Sequence, residues 1–148
     1  MQFRREIAEQ KLFTELMPLL EKHWAEIAHF KDVKLDPDWE QYERLEQAGV
    51  LRVFVARDHA GIMVGYAVYF VRHNPHYRQS LQALQDILFI DPTRRGFGAK
   101  FILWCDEQLR SEGVQATYHH VKAKHNFGAM LERLGYQLVD LIYARRLD

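Results

Sequence analysis

The 148-residue chain is 48% hydrophobic and carries 20 acidic and 20 basic side chains. That composition excludes an intrinsically disordered chain, and the charge balance removes the electrostatic case for non-specific nucleic-acid binding. No apolar run approaches the length of a membrane span, and MQFRREIAEQ lacks the apolar core of a signal peptide, so a cytoplasmic protein is expected. Cys105, the single cysteine, cannot form an internal disulfide, and no Cys/His spacing matches a zinc motif, so no metal site is expected.

Phe3 sits in a short stretch with strand character. From Ile7 to Ala28 apolar residues recur at helical spacing, with Pro18 inside the pattern, which predicts a kink or two abutting helices. A loop over Lys31–Pro37 follows, and Asp38 is placed to cap a helix through WEQYERLEQA, ended by Gly49. The period then changes. VLRVFVAR (50–57) and IMVGYAVYFV (62–71) read as two strands around a DHAG turn, hence a hairpin. HNPHYRQ is a polar loop, and Ala83–Ile90 reads as the next strand. AKFILWCDEQLRS has helical spacing, burying Phe101, Ile102, Cys105 and Leu109 before Gly113 stops it. VQATYHHV reads as a strand, AMLERL as a short helix, and Tyr136–Leu147 as one bent strand or two. The result is one domain over 1–148, α+β or α/β, with a mixed sheet.

The stretch that organises the chain is QDILFIDPTRRGFG, Gln85–Gly98. A strand leading through a basic, glycine-bearing turn into a helix N-terminus presents backbone N–H groups and a favourable dipole to an anion. This order of elements, with that turn between strand and helix, resembles the GNAT superfamily of acyl-CoA-dependent N-acetyltransferases from about Val50 onward. The family signature after its fourth strand is Arg or Gln, two residues, Gly, one residue, then Gly or Ala. Counting back from Gly96 and Gly98 puts Thr93 in the Arg/Gln slot. Counting forward from Pro92 instead makes Arg95-Gly96 the leading pair, Gly98 the middle glycine and Lys100 the small residue. A second family pattern, Asn, Ala three residues on, then a helix ending in Gly-Phe or Gly-Tyr, is met by Asn126, Ala129 and LERLGY. Asn126 lies closer to Gly135-Tyr136 than usual, and Leu131 stands where many members carry a Tyr that protonates the leaving thiolate. HWAEIA together with the shortened glycine loop is also similar to small family members found in phage genomes.

The resemblance implies a mostly antiparallel central sheet splayed between strands 4 and 5 and flanked by helices. It implies transfer of an acetyl group from acetyl-CoA to a primary amine, by direct attack in a ternary complex. The coenzyme's pantetheine arm would pair with backbone near Leu88, Phe89 and Ile90. Its pyrophosphate would sit on the amides of Arg95, Gly96, Phe97, Gly98, Ala99 and Lys100, with Arg94 alongside, and Lys100, Lys122 or Lys124 would meet the 3′-phosphate. Asn126 either holds the pantetheine or a bridging water, or caps the following helix.

Asp86, read as the start of the fourth strand, matches a position where the family often carries a catalytic carboxylate. It is either a general base, acting directly or through water, or a strand-end carboxylate bound to a loop. Strand alternation lets at most one of His119 and His120 reach the cleft, and His120 is the second candidate base. Tyr118 is the alternative acid in place of Leu131. Trp39, Tyr42, His76 and Tyr77 are candidates for the acceptor pocket, whose specificity the sequence does not reveal. The rival reading is a GNAT-like module that binds a partner or retains acyl-CoA without turnover. A homodimer is also in view, because LVDLIYARRL has the character of a strand able to pair at another subunit's sheet edge.

Overall fold

A five-stranded sheet orders the molecule as β1-β2-β3-β4-β5, with the first four strands antiparallel and β5 parallel to β4. The computed structural model describes residues 1–148. Its strands are β1 (Gln2–Glu6), β2 (Leu51–Arg57), β3 (Met63–His73), β4 (Leu81–Ile90) and β5 (Ala116–Tyr118). Its helices are α1 (Gln10–Ile27), α2 (Trp39–Gln47), α3 (Gly98–Ser111) and α4 (Gly128–Arg133). The expected mixed, mostly antiparallel α+β architecture is observed, and no helix is long and apolar enough to cross a membrane.

β2 and β3 are nearly continuous apolar runs because helices cover both faces of the sheet. On one face α1 lays Leu12, Phe13, Leu16 and Leu20 onto Val53, Val55, Tyr66 and Val68, and Trp39, Tyr42 and Leu45 of α2 extend that layer. On the other face Phe101, Cys105 and Leu109 of α3 pack on Phe54, Ala67, Tyr69 and Ala83, so Cys105 is a core thiol. Pro18 neither ends nor divides α1. Buried Leu16 and Leu20 flank it on one face, so both halves are held to the same sheet surface despite the missing N–H.

Three expectations are corrected. β4 starts two residues earlier, at Leu81, which places Asp86 mid-strand rather than at its beginning. β5 spans three residues instead of eight, because only Ala116–Tyr118 pair with β4. Tyr136–Leu147 forms no strand, since residues 137–148 make no backbone hydrogen bond at all.

Arg57 clamps one end of the sheet. It donates to both carboxylate oxygens of Glu6 at 2.7 and 2.8 Å, to Glu15 of α1, and to the Gly61 carbonyl at 2.9 Å. Removing it leaves the partly exposed carboxylates of Glu6 and Glu15 facing each other without their shared cation. Arg57→Ala should therefore cost about 1.5–2 kcal/mol, read as a lowered urea midpoint with an unchanged slope.

Candidate active site

The sheet opens where β4 and β5 part. Their pairing is limited to Gln82–Leu84 against Ala116–Tyr118, while β4 continues to Ile90. Gln85–Ile90, including Leu88, Phe89 and Ile90, therefore has no strand on that edge, where an extended amide-bearing arm can add.

The turn after β4 has unpaired donors. Asp91 accepts from the Thr93 amide at 2.9 Å and closes a short 3-10 turn over Pro92–Arg94. From Arg95 to Lys100 no backbone N–H donates to any protein acceptor, and the first helical bond of α3 runs from Phe101 to the Phe97 carbonyl at 2.9 Å. Gly96 has φ +125°, a conformation that side chains resist. A Cβ at position 98 would lie 3.1 Å from Ile90 Cδ1, so the second glycine lets the start of α3 approach the end of β4. Free amides at a helix N-terminus are the elements of an anion site.

Both arginines of the turn are held by acids that no sequence motif singles out. Arg94 pairs with Asp58 of the β2–β3 turn at 2.8 Å, and Arg95 pairs with Glu26 near the end of α1. Glu26 also lies 3.1 Å from His125 Nδ1. One carboxylate thus joins the turn after β4 to the segment after β5, across the mouth of the splay. Glu26 follows His23 by three residues on α1, but helical spacing alone does not show which distant segment a side chain meets.

Asp86 owes its position to a bulge. Val68 pairs with Ile87 and Tyr69 with Gln85, so Asp86 has no partner on β3. The extra residue turns both Asp86 and Ile87 toward the α1–α2 face, whereas Gln85 and Leu88 face α3. There the Tyr42 hydroxyl of α2 donates to Asp86 Oδ2 at 2.7 Å. Burial, reinforced by the adjacent carboxylate, pushes the Tyr42 hydroxyl well above its ordinary pKa of 10, so it stays protonated and donating.

Asp86 and Tyr42 line a broad, open cavity of about 2100 Å³. Trp39, stacked on Phe13 at 4.5 Å, borders it, as do Tyr118, His120 and Leu131. Thr117 meets Tyr136 at 2.9 Å on the α3 face, so alternation turns Tyr118 to the face that holds Asp86. His120 is exposed and makes no side-chain hydrogen bond within the protein. His119 is turned inward instead, with Nδ1 3.1 Å from Gln85 Oε1 and its ring against Tyr69 and Tyr136. His119 Nε2 and the Tyr69 hydroxyl are buried without a hydrogen-bond partner.

Other candidates lie elsewhere or serve locally. His76 and Tyr77 belong to the exposed loop before β4 and do not line this cavity; Tyr77 borders a separate depression with Gln115. Asn126 Oδ1 accepts from the Gly128 amide at 2.8 Å in a tight local turn just before α4, whose N-cap position is Phe127 and carries no side-chain cap. Leu131 is buried, which leaves no hydroxyl at that position. Lys100, Lys122 and Lys124 are exposed.

His23, which has no recognisable partner in the sequence, lies 2.8 Å from the Tyr66 hydroxyl and stacks on Phe89. Burial pushes both His23 and His119 down from 6.5 to about 4. As pH falls through that window, the unfolded chain takes up protons that the folded chain refuses. Their contribution to stability is complete above 6.5 and is lost as pH falls toward about 4. Urea midpoints should drop between neutral pH and the middle of that window, and His119→Phe should flatten the slope.

This architecture recurs among solved structures. The chain superposes on a ribosomal-protein-alanine N-acetyltransferase from Brucella melitensis biovar Abortus 2308 with TM-score 0.72 and 17% identity, covering 99% of this chain and 100% of that one. An aminoglycoside acetyltransferase from an uncultured soil metagenomic sample, in complex with sisomicin, gives TM-score 0.71 and 20% identity over 98% and 96% of the two chains. The chain has the GNAT fold. A predicted acetyltransferase with acetyl-CoA from Clostridium acetobutylicum shares it at TM-score 0.69 and 12% identity, over 99% and 96%. No protein-family model and no curated protein matches the sequence. The GNAT fold expected from the glycine turn is therefore observed in three dimensions, splay included.

Proposed function

We propose that the protein transfers an acetyl group from acetyl-CoA to a primary amine by direct attack in a ternary complex. The observation that carries this reading is the arrangement around the splay. Unpaired amides from Arg95 to Lys100 lie at one end of a free β4 edge, and the bulged Asp86 lies partway along that strand. In this reading Leu88, Phe89 and Ile90 offer backbone to the pantetheine, and the amides hold the pyrophosphate. Acetyl-CoA supplies the activated acetyl group.

Asp86 takes the proton that the ammonium must lose before its nitrogen lone pair can attack the acetyl carbon. The C–N bond forms and the C–S bond breaks; Tyr118 on the same sheet face gives its proton to the thiolate, and the second proton that the nitrogen sheds as the amide forms returns to the Tyr118 oxygen through solvent. His120, exposed at the cavity rim, is the second candidate base. The cavity lining supports a cationic acceptor: Asp36, Asp38, Asp86, Glu132 and Asp140 stand against Lys34 and Lys122. Trp39 and Tyr42 form the acceptor wall.

Calorimetric titration with acetyl-CoA tests the first half of the proposal, with saturable binding at micromolar to sub-millimolar concentration expected. Thiol release across a panel of small amines, polyamines, aminoglycosides and peptide N-termini tests the second half. No binding heat overturns the reading. Binding without thiol release from any amine favours the non-catalytic module, which the missing hydroxyl at Leu131 motivates.

A further inference from the structure

The fork between β4 and β5 closes on one row of side chains. The last backbone pair joins Leu84 to Tyr118, so Gln85 and His119 are the first residues past the split on either side. Gln85 lies directly opposite Tyr69 of β3, and it is the polar side chain of β4 that is buried, at 5% exposure. His119 Nδ1 meets Gln85 Oε1 at 3.1 Å, and its ring stands edge-on to Tyr69 with centroids 5.8 Å apart. An amide oxygen only accepts, so Nδ1 carries the proton. Tyr69, Gln85 and His119 thus form a bar on the α3 face, linking β3, β4 and the end of β5 across the base of the split. Packing alone does not account for a polar bar. The Tyr69 hydroxyl and His119 Nε2 are buried without partners, a cost that apolar side chains of similar size avoid. What a directional bond adds is a fixed separation between two strands whose backbones no longer pair.

We propose that the Gln85–His119 bridge is the floor of the acyl site and restricts the donor to short acyl groups. The inference rests on the reading of the β4 edge as the edge on which the coenzyme pairs. An arm held by its pyrophosphate on the amides of Arg95–Lys100 and laid along Ile90, Phe89 and Leu88 brings its far, thioester end toward Gln85. A carbon chain growing from that thioester along the split meets the bridge, with the fully buried Tyr69 beside it. The opposite face gives a longer chain no useful exit. It opens on the cavity where Asp86 and Tyr42 stand, and a tail turned that way occupies the acceptor's own approach. Gln85 and His119 are specificity-determining positions in this scheme, and neither moves a proton.

Calorimetric titration with coenzyme A, acetyl-CoA and butyryl-CoA tests this on the unmodified protein, on Gln85→Ala and on His119→Ala, with folding checked by circular dichroism. Each affinity is referred to that of free coenzyme A on the same variant, which cancels any general effect of the substitution. On the unmodified protein butyryl-CoA should bind no more tightly than acetyl-CoA. Either substitution opens a void at the base of the split, and butyryl-CoA should gain about tenfold over acetyl-CoA as its added methylenes are buried there. The two variants open the floor from opposite sides, so either one that folds decides the question. An unchanged butyryl-to-acetyl ratio overturns the inference, as does tighter binding of butyryl-CoA to the unmodified protein. In both of those cases coenzyme A still binds, and the proposed acetyl transfer stands. Absence of coenzyme A binding by the unmodified protein instead overturns that reading and this inference together.

Discussion

Asp86→Asn should lower kcat by about 10²- to 10⁴-fold while leaving acetyl-CoA affinity within about twofold. The amide keeps the shape and still accepts the Tyr42 hydroxyl, which contacts Oδ2 at 2.7 Å, but it cannot take a proton from an ammonium. A steep pH dependence supports the same role: raising the pH deprotonates the amine in solution and should recover part of the lost rate. Tyr42→Phe separates positioning from proton transfer. It removes the hydrogen bond that holds the carboxylate and should reduce kcat less than Asp86→Asn does. If Asp86→Asn turns over normally, the carboxylate is a structural partner of α2 and the base lies elsewhere, with His120 next to be tested.

The second large effect concerns the turn. Arg95→Glu should weaken acetyl-CoA binding by about tenfold or more, which corresponds to at least 1.4 kcal/mol. It places an anion beside the free amides and removes a cation from the pyrophosphate path. Arg95 is paired with Glu26 in the free protein, so Glu26→Gln should move affinity the other way by releasing the guanidinium. Opposite signs for the two variants would identify the pair as a contact exchanged on binding. Equal weakening by both would instead mean that the ion pair only shapes the turn. Calorimetry on each variant, with circular dichroism to confirm folding, measures both.

The elements that agree with sequence reasoning are those set by local periodicity. Phe101, Ile102, Cys105 and Leu109 were readable as the inner face of α3 because a 3.6-residue period allows only one such face. Asp38 was readable as a cap because the Gln41 amide three residues on needs an acceptor, and the bond is present at 2.9 Å. Pro18 failed as a breaker because packing on the sheet outweighed a purely local preference. The expected strand over Tyr136–Leu147 failed for the complementary reason: β-branched and apolar residues describe a suitable strand but do not provide the partner that makes one.

By itself, then, the sequence determined the order of helices and strands, the glycine turn after β4 and the apolar faces that bury the core. These follow from backbone geometry and side-chain periodicity within a few residues. Tertiary structure decided what no local pattern encodes. It re-aimed Asp86 through a one-residue bulge against β3 and brought Tyr42 to that carboxylate from 44 positions away. It also tied Arg95 to Glu26 across 69 positions and left the backbone of residues 137–148 without a hydrogen-bonded strand partner in its own chain. Register and long-range ion pairing depend on how separate elements dock, and docking is settled by the packing of the whole sheet and its two helical layers.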